Sequence, residues 1–142
     1  MEFQLDKTLK ADSLLMGHFK LSYLLLMNDS NYPWFTLVPR RPEMTEIYQL
    51  CEEDQKLLWQ ESKILSRVIM DYFSGEKLNI AAIGNIVSQL HMHHVVRFKH
   101  DVSWPKPIWG QLPMSRYADD NARSIMSAIS ERLELEGFCT LD

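Results

Sequence analysis

Residues 89–97, Gln-Leu-His-Met-His-His-Val-Val-Arg, alternate polar and apolar side chains with a period of two. Such alternation is typical of a half-buried β-strand, on which every second side chain faces the same side. Gln89, His91 and His93 therefore share one face, with Arg97 a few residues further along. A neutral imidazole is a nucleophile at its unprotonated nitrogen, and imidazole and amide N–H groups bind phosphate oxygens. This face of the strand predicts a phosphate-binding surface with exposed imidazoles.

His91 and His93 also permit an alternative use as zinc ligands, because imidazole is a common ligand of zinc. A zinc site needs three or four protein ligands. The cysteines, Cys51 and Cys139, lie far apart and lack metal-ligand spacing. From these residues alone zinc binding and catalysis are about equally supported. The flanking turn at 84–88 and the downstream segment at 104–110 make zinc the weaker alternative, and we expect no metal and no other cofactor. His94 faces away from His91 and His93, which predicts a packed or solvated histidine.

The composition describes an ordinary globular chain of 142 residues, with 46% hydrophobic and 24% charged residues. This length favours one domain over residues 1–142 with a core of its own. The net charge of -4 argues against nucleic acid as a partner, so any phosphate site must be local. The sequence shows no signal-peptide pattern and no apolar run of the ~20 residues that a membrane-spanning helix needs. The two cysteine thiols are expected to be reduced. We expect a soluble cytoplasmic protein without a membrane partner.

Strands and helices are predicted around this surface. Residues 1–18 show no clear pattern beyond leucines that can pack on a core. Four strands are predicted from β-branched and aromatic content and from flanking turns: 19–27, 34–38, 78–83 and 89–98. Strands grouped around one long helix predict an α+β fold with an antiparallel sheet.

Two helices complete the prediction. The long helix begins near Cys51, follows a three-four apolar spacing to Phe73, and is followed by Gly75 in the left-handed position. A C-terminal helix over about 118–137 is expected to be capped by Asp119 or Asp120. Between the last strand and this helix, residues 100–117 predict an ordered loop rich in proline and tryptophan.

The run from Gly84 to Arg97 resembles the signature of the histidine-triad (HIT) family, in which three histidines alternate with apolar residues after a Gly-Gln/Asn-x-Val turn. The resemblance covers roughly residues 19–110. It extends upstream through 25–29 and 33–41, and downstream to the Trp-Pro-x-Pro segment at 104–107. It implies a nucleotide hydrolase or transferase that attacks a nucleoside α-phosphate through a covalent nucleotidyl-histidine intermediate.

The resemblance also implies a role for each matching residue. His91 matches the central histidine, the nucleophile of the family, and His93 matches the third histidine, which binds a phosphoryl oxygen. Asn85 matches a polar turn residue close to the phosphate. Asn28 or Asp29 matches the residue that holds the ribose hydroxyls. Among the basic residues, Arg97 is the best candidate to screen the charge of substrate phosphates, because it follows the histidines on the same segment.

Two positions depart from the family pattern. Gln89 stands at the first histidine, and Trp34 stands where an upstream histidine is expected close to it. A glutamine can hold phosphate oxygens but cannot deliver a proton, and general acid catalysis is typically worth 10²–10⁴-fold. A nucleotide or polyphosphate leaves without much protonation, and His93 remains a possible acid. Dinucleoside polyphosphates or similar anhydrides are therefore favoured over phosphoramidates.

Three functions follow from these residues. The first is the hydrolase or transferase, with His91, His93 and Gln89 as its catalytic set. The second is a nucleotide-binding module that has lost turnover, and the third is a metal-binding protein. The family also implies a possible homodimer, which would protect an exposed sheet edge.

Overall fold

The structure is a computed structural model that describes residues 1–141. Within residues 1–141, six strands and three helices follow one another, with a short 3-10 turn before the long helix. In chain order they are α1 (Lys7–Ala11), β1 (Ser13–His18), β2 (Ser22–Met27), β3 (Trp34–Pro39), the 3-10 turn (Ile47–Gln49), α2 (Glu52–Phe73), β4 (Lys77–Ala81), β5 (Met92–Arg97), α3 (Asp119–Glu134) and β6 (Cys139–Thr140).

All strand pairs are antiparallel, and the order across the sheet is β4-β5-β3-β2-β1-β6. The strand that carries the histidines, β5, therefore lies between β4 and β3. Its register places His93 opposite Thr36 of β3 and Ala81 of β4. The predicted α+β fold with an antiparallel sheet is confirmed.

The two faces of the sheet are covered differently. On one face, buried side chains of α2 and α3, including Leu65 and Ile129, join Met92 and Val96 of β5 in the main hydrophobic core. On the other face, two smaller clusters gather under the N-terminal segment and under the loop that contains Ile108. Period-two alternation in β5 therefore separates the face that packs on helices from the face that carries the site.

The first 18 residues contain regular structure that the sequence pattern did not predict. Asp6 caps α1, since its carboxylate accepts from the backbone N–H groups of Thr8 and Leu9. The next residues form β1, which pairs with β2 on one side and with β6 on the other. The sheet thus extends beyond the interval 19–110, because both ends of the chain add a strand to it.

The ends of the long helices differ in detail from the prediction. Ser74, not Gly75, adopts the left-handed conformation after α2, with φ 52° and ψ 47°. Gly75 is needed for space instead, because a Cβ there would lie 2.5 Å from Cγ1 of Val96. Neither Asp119 nor Asp120 is the cap of α3, since that position is taken by Ala118. Both aspartates lie inside the first turn, where the helix dipole stabilises their negative charge.

Over residues 1–141, no helix combines the length and apolar character that crossing a membrane requires.

Candidate functional site

His91 lies immediately before β5 with its ring held by its own backbone. Its Nδ1 is 2.6 Å from the carbonyl oxygen of Gln89. A carbonyl can only accept, so Nδ1 carries the proton and Nε2, on the far side of the ring, keeps its lone pair. The residue is only 6% exposed, which corrects the expected exposed histidine. His91 therefore presents a fixed tautomer whose free nitrogen is a potential nucleophile.

His93 packs against His91 and is held from behind by β3. The two imidazole centroids lie 4.7 Å apart with the rings nearly perpendicular. The indole Nε1 of Trp34 donates to Nδ1 of His93 at 2.9 Å, and the hydroxyl of Thr36 lies 3.2 Å from the same nitrogen. Burial, with smaller contributions from the neighbouring His91 and His94, lowers the pKa of His93 to about 3. His93 is therefore neutral at physiological pH.

A pocket of about 310 Å³ opens in front of these two rings. Its walls are mostly apolar, which suits a flat aromatic ligand that also carries a polar group. The apolar side chains are Met27, Trp34, Ile83, Ile86, Val87, Trp109 and Met114. The polar residues are Thr8, Asp12, Asn85, His91 and His93. Larger cavities near Phe3 and Gln4 contain neither histidine, so the smaller pocket is the candidate site.

The turn at 84–88 brings one predicted site residue, Asn85, to the pocket. Gly84 adopts φ +70°, a left-handed conformation that glycine enters at little cost. This turn points the chain back toward the histidines, and Asn85 remains exposed beside them. The predicted proximity of Asn85, His91 and His93 is therefore present in the structure.

Gln89 does not face this pocket. Its Oε1 accepts from the backbone N–H of Asp6 at 2.9 Å, and its Nε2 donates to the carbonyl of Gln4 at 2.8 Å. The strand ladder begins only at Met92, since the N–H of Leu90 is bound by the carbonyl of Met44 rather than by a neighbouring strand. This geometry opposes the predicted contact between the Gln89 amide and a phosphoryl group. The amide holds the N-terminal segment instead.

Trp34 is not the partner of Gln89. It was expected near the first histidine position, but its indole N–H binds His93. The amide of Gln89 reaches a different part of the chain. The two departures from the family pattern therefore act at separate places.

Arg97 is buried, with 1% of its side chain exposed. Its guanidinium binds both carboxylate oxygens of Asp101, at 2.8 and 3.1 Å, and the Oδ1 of Asn79 at 2.9 Å. Asp101 in turn accepts from backbone N–H groups of the following loop, including that of Trp104. Burial raises the pKa of Asp101, but these donors outweigh it and bring the value to about 2. This geometry opposes the predicted contact of Arg97 with phosphate and gives it the role of ordering the loop.

Asn28 and Asp29 lie at the end of β2, directly after the pocket residue Met27. The Oδ1 of Asn28 accepts from the N–H of Tyr117 at 2.9 Å. Within residues 1–141, the Asp29 carboxylate accepts hydrogen bonds only at Oδ1. The donors are the backbone and side-chain N–H groups of Asn31 and the backbone N–H of Ser115, the last at 3.2 Å. Both side chains thus tie β2 to the segment before α3, and their predicted contact with ribose stays a prediction.

His94 points to the opposite face, as predicted, and packs in the helix layer. Its Nε2 lies 2.7 Å from the hydroxyl of Ser62 on α2, and burial lowers its pKa to about 4. No group of three or more His, Cys, Asp or Glu side chains within residues 1–141 is arranged to hold a metal ion. The zinc alternative therefore lacks a third ligand of these types in the described chain.

Several pocket residues escaped the sequence analysis. Thr8 and Asp12 reach the pocket from α1 and the residue that follows it. The signal for α1 was present in the Asp6 cap, but a helix of this length has a weak periodicity. The segment 104–110, which contains Trp109, was expected either to cover the site or contact a base or to pack against the core, and the ring of Trp109 lies 5.2 Å from that of His93. The approach of a loop to a strand is a long-range contact that local spacing does not encode.

The fold and this pocket together define an α+β protein with two neighbouring histidines at an antiparallel sheet. The HIT domain model matches residues 8–100 of the chain. A histidine triad protein from Marinobacter aquaeolei VT8 is 43% identical, with 95% of this chain and 98% of that one covered and a TM-score of 0.93. One from Bradyrhizobium japonicum is 38% identical over 93% and 98% of the chains, with a TM-score of 0.91. One from Sinorhizobium meliloti 1021 is 36% identical over 92% and 97%, with a TM-score of 0.90.

A search of curated proteins finds no match. The chain belongs to the HIT domain family, since the family model covers more than half of it and the similar structures match nearly all of it. Members of this family are generally nucleotide-binding hydrolases or transferases.

Proposed function

We propose that this protein is a nucleotide hydrolase or nucleotidyl transferase that attacks the α-phosphate of a dinucleoside polyphosphate or a similar anhydride. The observation that carries the proposal is the bond from Nδ1 of His91 to the carbonyl of Gln89 at 2.6 Å. It leaves Nε2 unprotonated on a residue that lines the pocket. Family membership supplies the chemical class, and this tautomer supplies the nucleophile.

In the first step, the lone pair of Nε2 of His91 forms a bond to the α-phosphorus. The bond from phosphorus to the bridging oxygen breaks, and the leaving nucleotide or polyphosphate takes that electron pair as an anion. The imidazole gains positive charge as the bond forms. The Gln89 carbonyl stabilises this charge, since a hydrogen bond to a charged donor is stronger than one to a neutral donor.

In the second step, the oxygen of a water or of another acceptor forms a bond to the same phosphorus. The bond from phosphorus to Nε2 of His91 breaks, its electron pair returns to the nitrogen, and the proton of the acceptor goes to solvent. Water as acceptor yields a nucleoside monophosphate, whereas a different acceptor yields a transfer product. His93 donates to a phosphoryl oxygen in both steps, and Asn85 supports the same group from its turn.

The surroundings of the leaving group favour anhydrides. Gln89 cannot donate a proton there, because an amide is not an acid near neutral pH and this amide is held by residues 4 and 6. The pKa of His93, lowered to about 3 chiefly by burial, makes that ring a poor proton donor near neutral pH. A polyphosphate or nucleotide leaves as a stable anion, whereas an amine must be protonated. The site is therefore suited to substrates whose leaving group is a polyphosphate or a nucleotide.

The nucleoside is placed by the rest of the pocket. The apolar side chains of Trp34, Ile86 and Trp109 give a base the surface on which to stack. Asp29 remains the candidate for the ribose hydroxyls, with Oδ2 as the oxygen that would accept from them. Its Oδ1 is held by Asn31 and Ser115 and is thereby fixed in position.

Covalent trapping tests this function directly. The protein is incubated with a dinucleoside polyphosphate labelled at the α-phosphates, quenched in denaturant at alkaline pH, and mapped by peptide mass spectrometry. We expect label on the peptide that contains His91 and released mononucleotide in the supernatant. Binding of the nucleotide with neither labelled protein nor product would instead identify a nucleotide-binding module without turnover, and the proposed reaction would be wrong.

A further inference from the structure

The indole of Trp34 determines which nitrogen of His93 carries the proton. Its Nε1 lies 2.9 Å from Nδ1 of His93, and an indole N–H is a donor only. Nδ1 must therefore accept, and the proton of the neutral ring resides on Nε2. The hydroxyl of Thr36, 3.2 Å from the same nitrogen, can donate or accept and so does not choose between the tautomers.

We propose that Trp34 is a positioning residue that fixes His93 as the neutral tautomer with its proton on Nε2, and that His93 serves as a hydrogen-bond donor to the phosphoryl group and not as a general acid. The part that concerns phosphate rests on the proposed function. The tautomer itself rests only on the geometry of Trp34 and His93.

The two histidines of the pocket then hold opposite tautomers. His91 carries its proton on Nδ1 because a carbonyl stands there, whereas His93 carries it on Nε2 because an indole N–H stands at Nδ1. One ring therefore offers a lone pair to the pocket side and the other offers an N–H. A nucleophile next to an oxyanion donor is the arrangement that attack on a phosphoryl group requires.

The same bond opposes the imidazolium form of His93. A second proton on Nδ1 would point at the indole N–H from 2.9 Å and would require Trp34 to move. Trp34 is 9% exposed and packs edge-on against Trp109, so this movement is restricted. The titratable groups around His93 are His91 and His94 on its own segment and Asp12 across the pocket. The two histidines disfavour a charge on His93, as does burial.

Nitrogen NMR on protein with 15N-labelled histidine and tryptophan reads the tautomer directly. In the wild-type protein we expect His93 to show a bare Nδ1 and a protonated Nε2, unchanged from about pH 8 to about pH 5. We also expect a coupling through the hydrogen bond between Nε1 of Trp34 and Nδ1 of His93. Absence of the coupling, or titration of His93 in this range, would overturn the proposal without reference to any variant.

Two tryptophan variants separate the hydrogen bond from packing. Trp34→Phe removes the donor but keeps an aromatic ring, so we expect His93 to populate both tautomers and to bind a proton at higher pH. Trp109→Phe is the matched control, since this indole also packs on His93 but its Nε1 has no partner within residues 1–141. We expect Trp109→Phe to leave the nitrogen shifts of His93 as they are. Equal changes in the two variants would make Trp34 a packing residue only.

Turnover adds a second reading. If the proposed reaction holds, Trp34→Phe should lower kcat by about tenfold, because loss of one hydrogen bond leaves His93 in the wrong tautomer part of the time. If the wild-type protein holds His93 in one tautomer but turns over no nucleotide, the role of Trp34 stands and the proposed reaction is refuted. A mixture of the two His93 tautomers in a wild-type protein that turns over nucleotide would refute the role of Trp34 and leave the proposed reaction standing.

Discussion

The Nδ1 atom of His91 lies 2.6 Å from the carbonyl oxygen of Gln89, two residues earlier in the chain. The same contact recurs within β5, where Nδ1 of His94 lies 3.1 Å from the carbonyl oxygen of Met92, also two residues earlier. A backbone carbonyl at this spacing thus gives the His91 ring a fixed acceptor and leaves the lone pair on the opposite nitrogen.

Replacement of His91 by asparagine should abolish turnover. His91→Asn removes the nucleophilic nitrogen but leaves a polar side chain in the pocket, so we expect kcat to fall below detection and the circular dichroism spectrum to persist. His100→Asn, the same change at an exposed site outside the pocket, is the control and should keep wild-type kcat. Retained turnover in His91→Asn would place the nucleophile elsewhere.

The nature of the leaving group should determine the rate. We expect kcat/KM for a dinucleoside polyphosphate to exceed that for a nucleoside phosphoramidate by about 10²-fold or more, because the site offers no efficient proton donor to an amine. The comparison uses one nucleoside in both substrates so that binding of the base is matched. Faster cleavage of the phosphoramidate would show that an acid operates in the site and would contradict the geometry of His93.

Gln89→Ala should loosen the N-terminal segment. The variant removes the acceptor of the Asp6 N–H, so we expect the hydrogen exchange of that amide to accelerate by about tenfold. Because α1 carries Thr8 to the pocket, KM should rise several-fold while kcat changes little. Gln60→Ala, on the exposed side of α2, should change neither quantity. A loss of kcat with unchanged exchange at Asp6 would return Gln89 to the catalytic set.

Asp101→Asn should destabilise the fold strongly. Removal of one partner leaves the buried guanidinium of Arg97 uncompensated, which typically costs about 3–5 kcal/mol of unfolding free energy. Urea unfolding measures this difference. Asp120→Asn is the control, because its pair with Arg123 is exposed and should contribute little. A small effect of Asp101→Asn would mean that the loop after β5 is held by its tryptophans and not by this ion pair.

The same carboxylate should give the fold a characteristic acid sensitivity. The pKa of Asp101 is lowered from 3.8 to about 2, so the folded protein holds the ionised form more strongly than the unfolded chain does. Its contribution to stability is therefore complete above about pH 4 and is lost as the pH falls toward about 2. The dependence of unfolding free energy on pH in this window should be weaker in Asp101→Asn than in the wild-type protein. Identical curves would exclude Asp101 as the group responsible.

Local patterns determined the class of the fold and the identity of the paired histidines. The alternation through His91 and His93 is a short-range signal, because a strand repeats every two residues whatever its neighbours are. The same reason explains why His94 was correctly placed on the opposite face. The three-four apolar spacing likewise located α2 almost to the residue.

Only the tertiary structure decided what each polar side chain contacts. Gln89 and Arg97 have the residue types of a phosphate site, yet one binds residues 4 and 6 and the other binds Asp101. Trp34 reaches His93 because β3 and β5 are neighbours in the sheet, although 59 positions separate the two residues in the chain. Such contacts depend on strand order and on how the chain ends pack, and no periodicity within one segment contains that information.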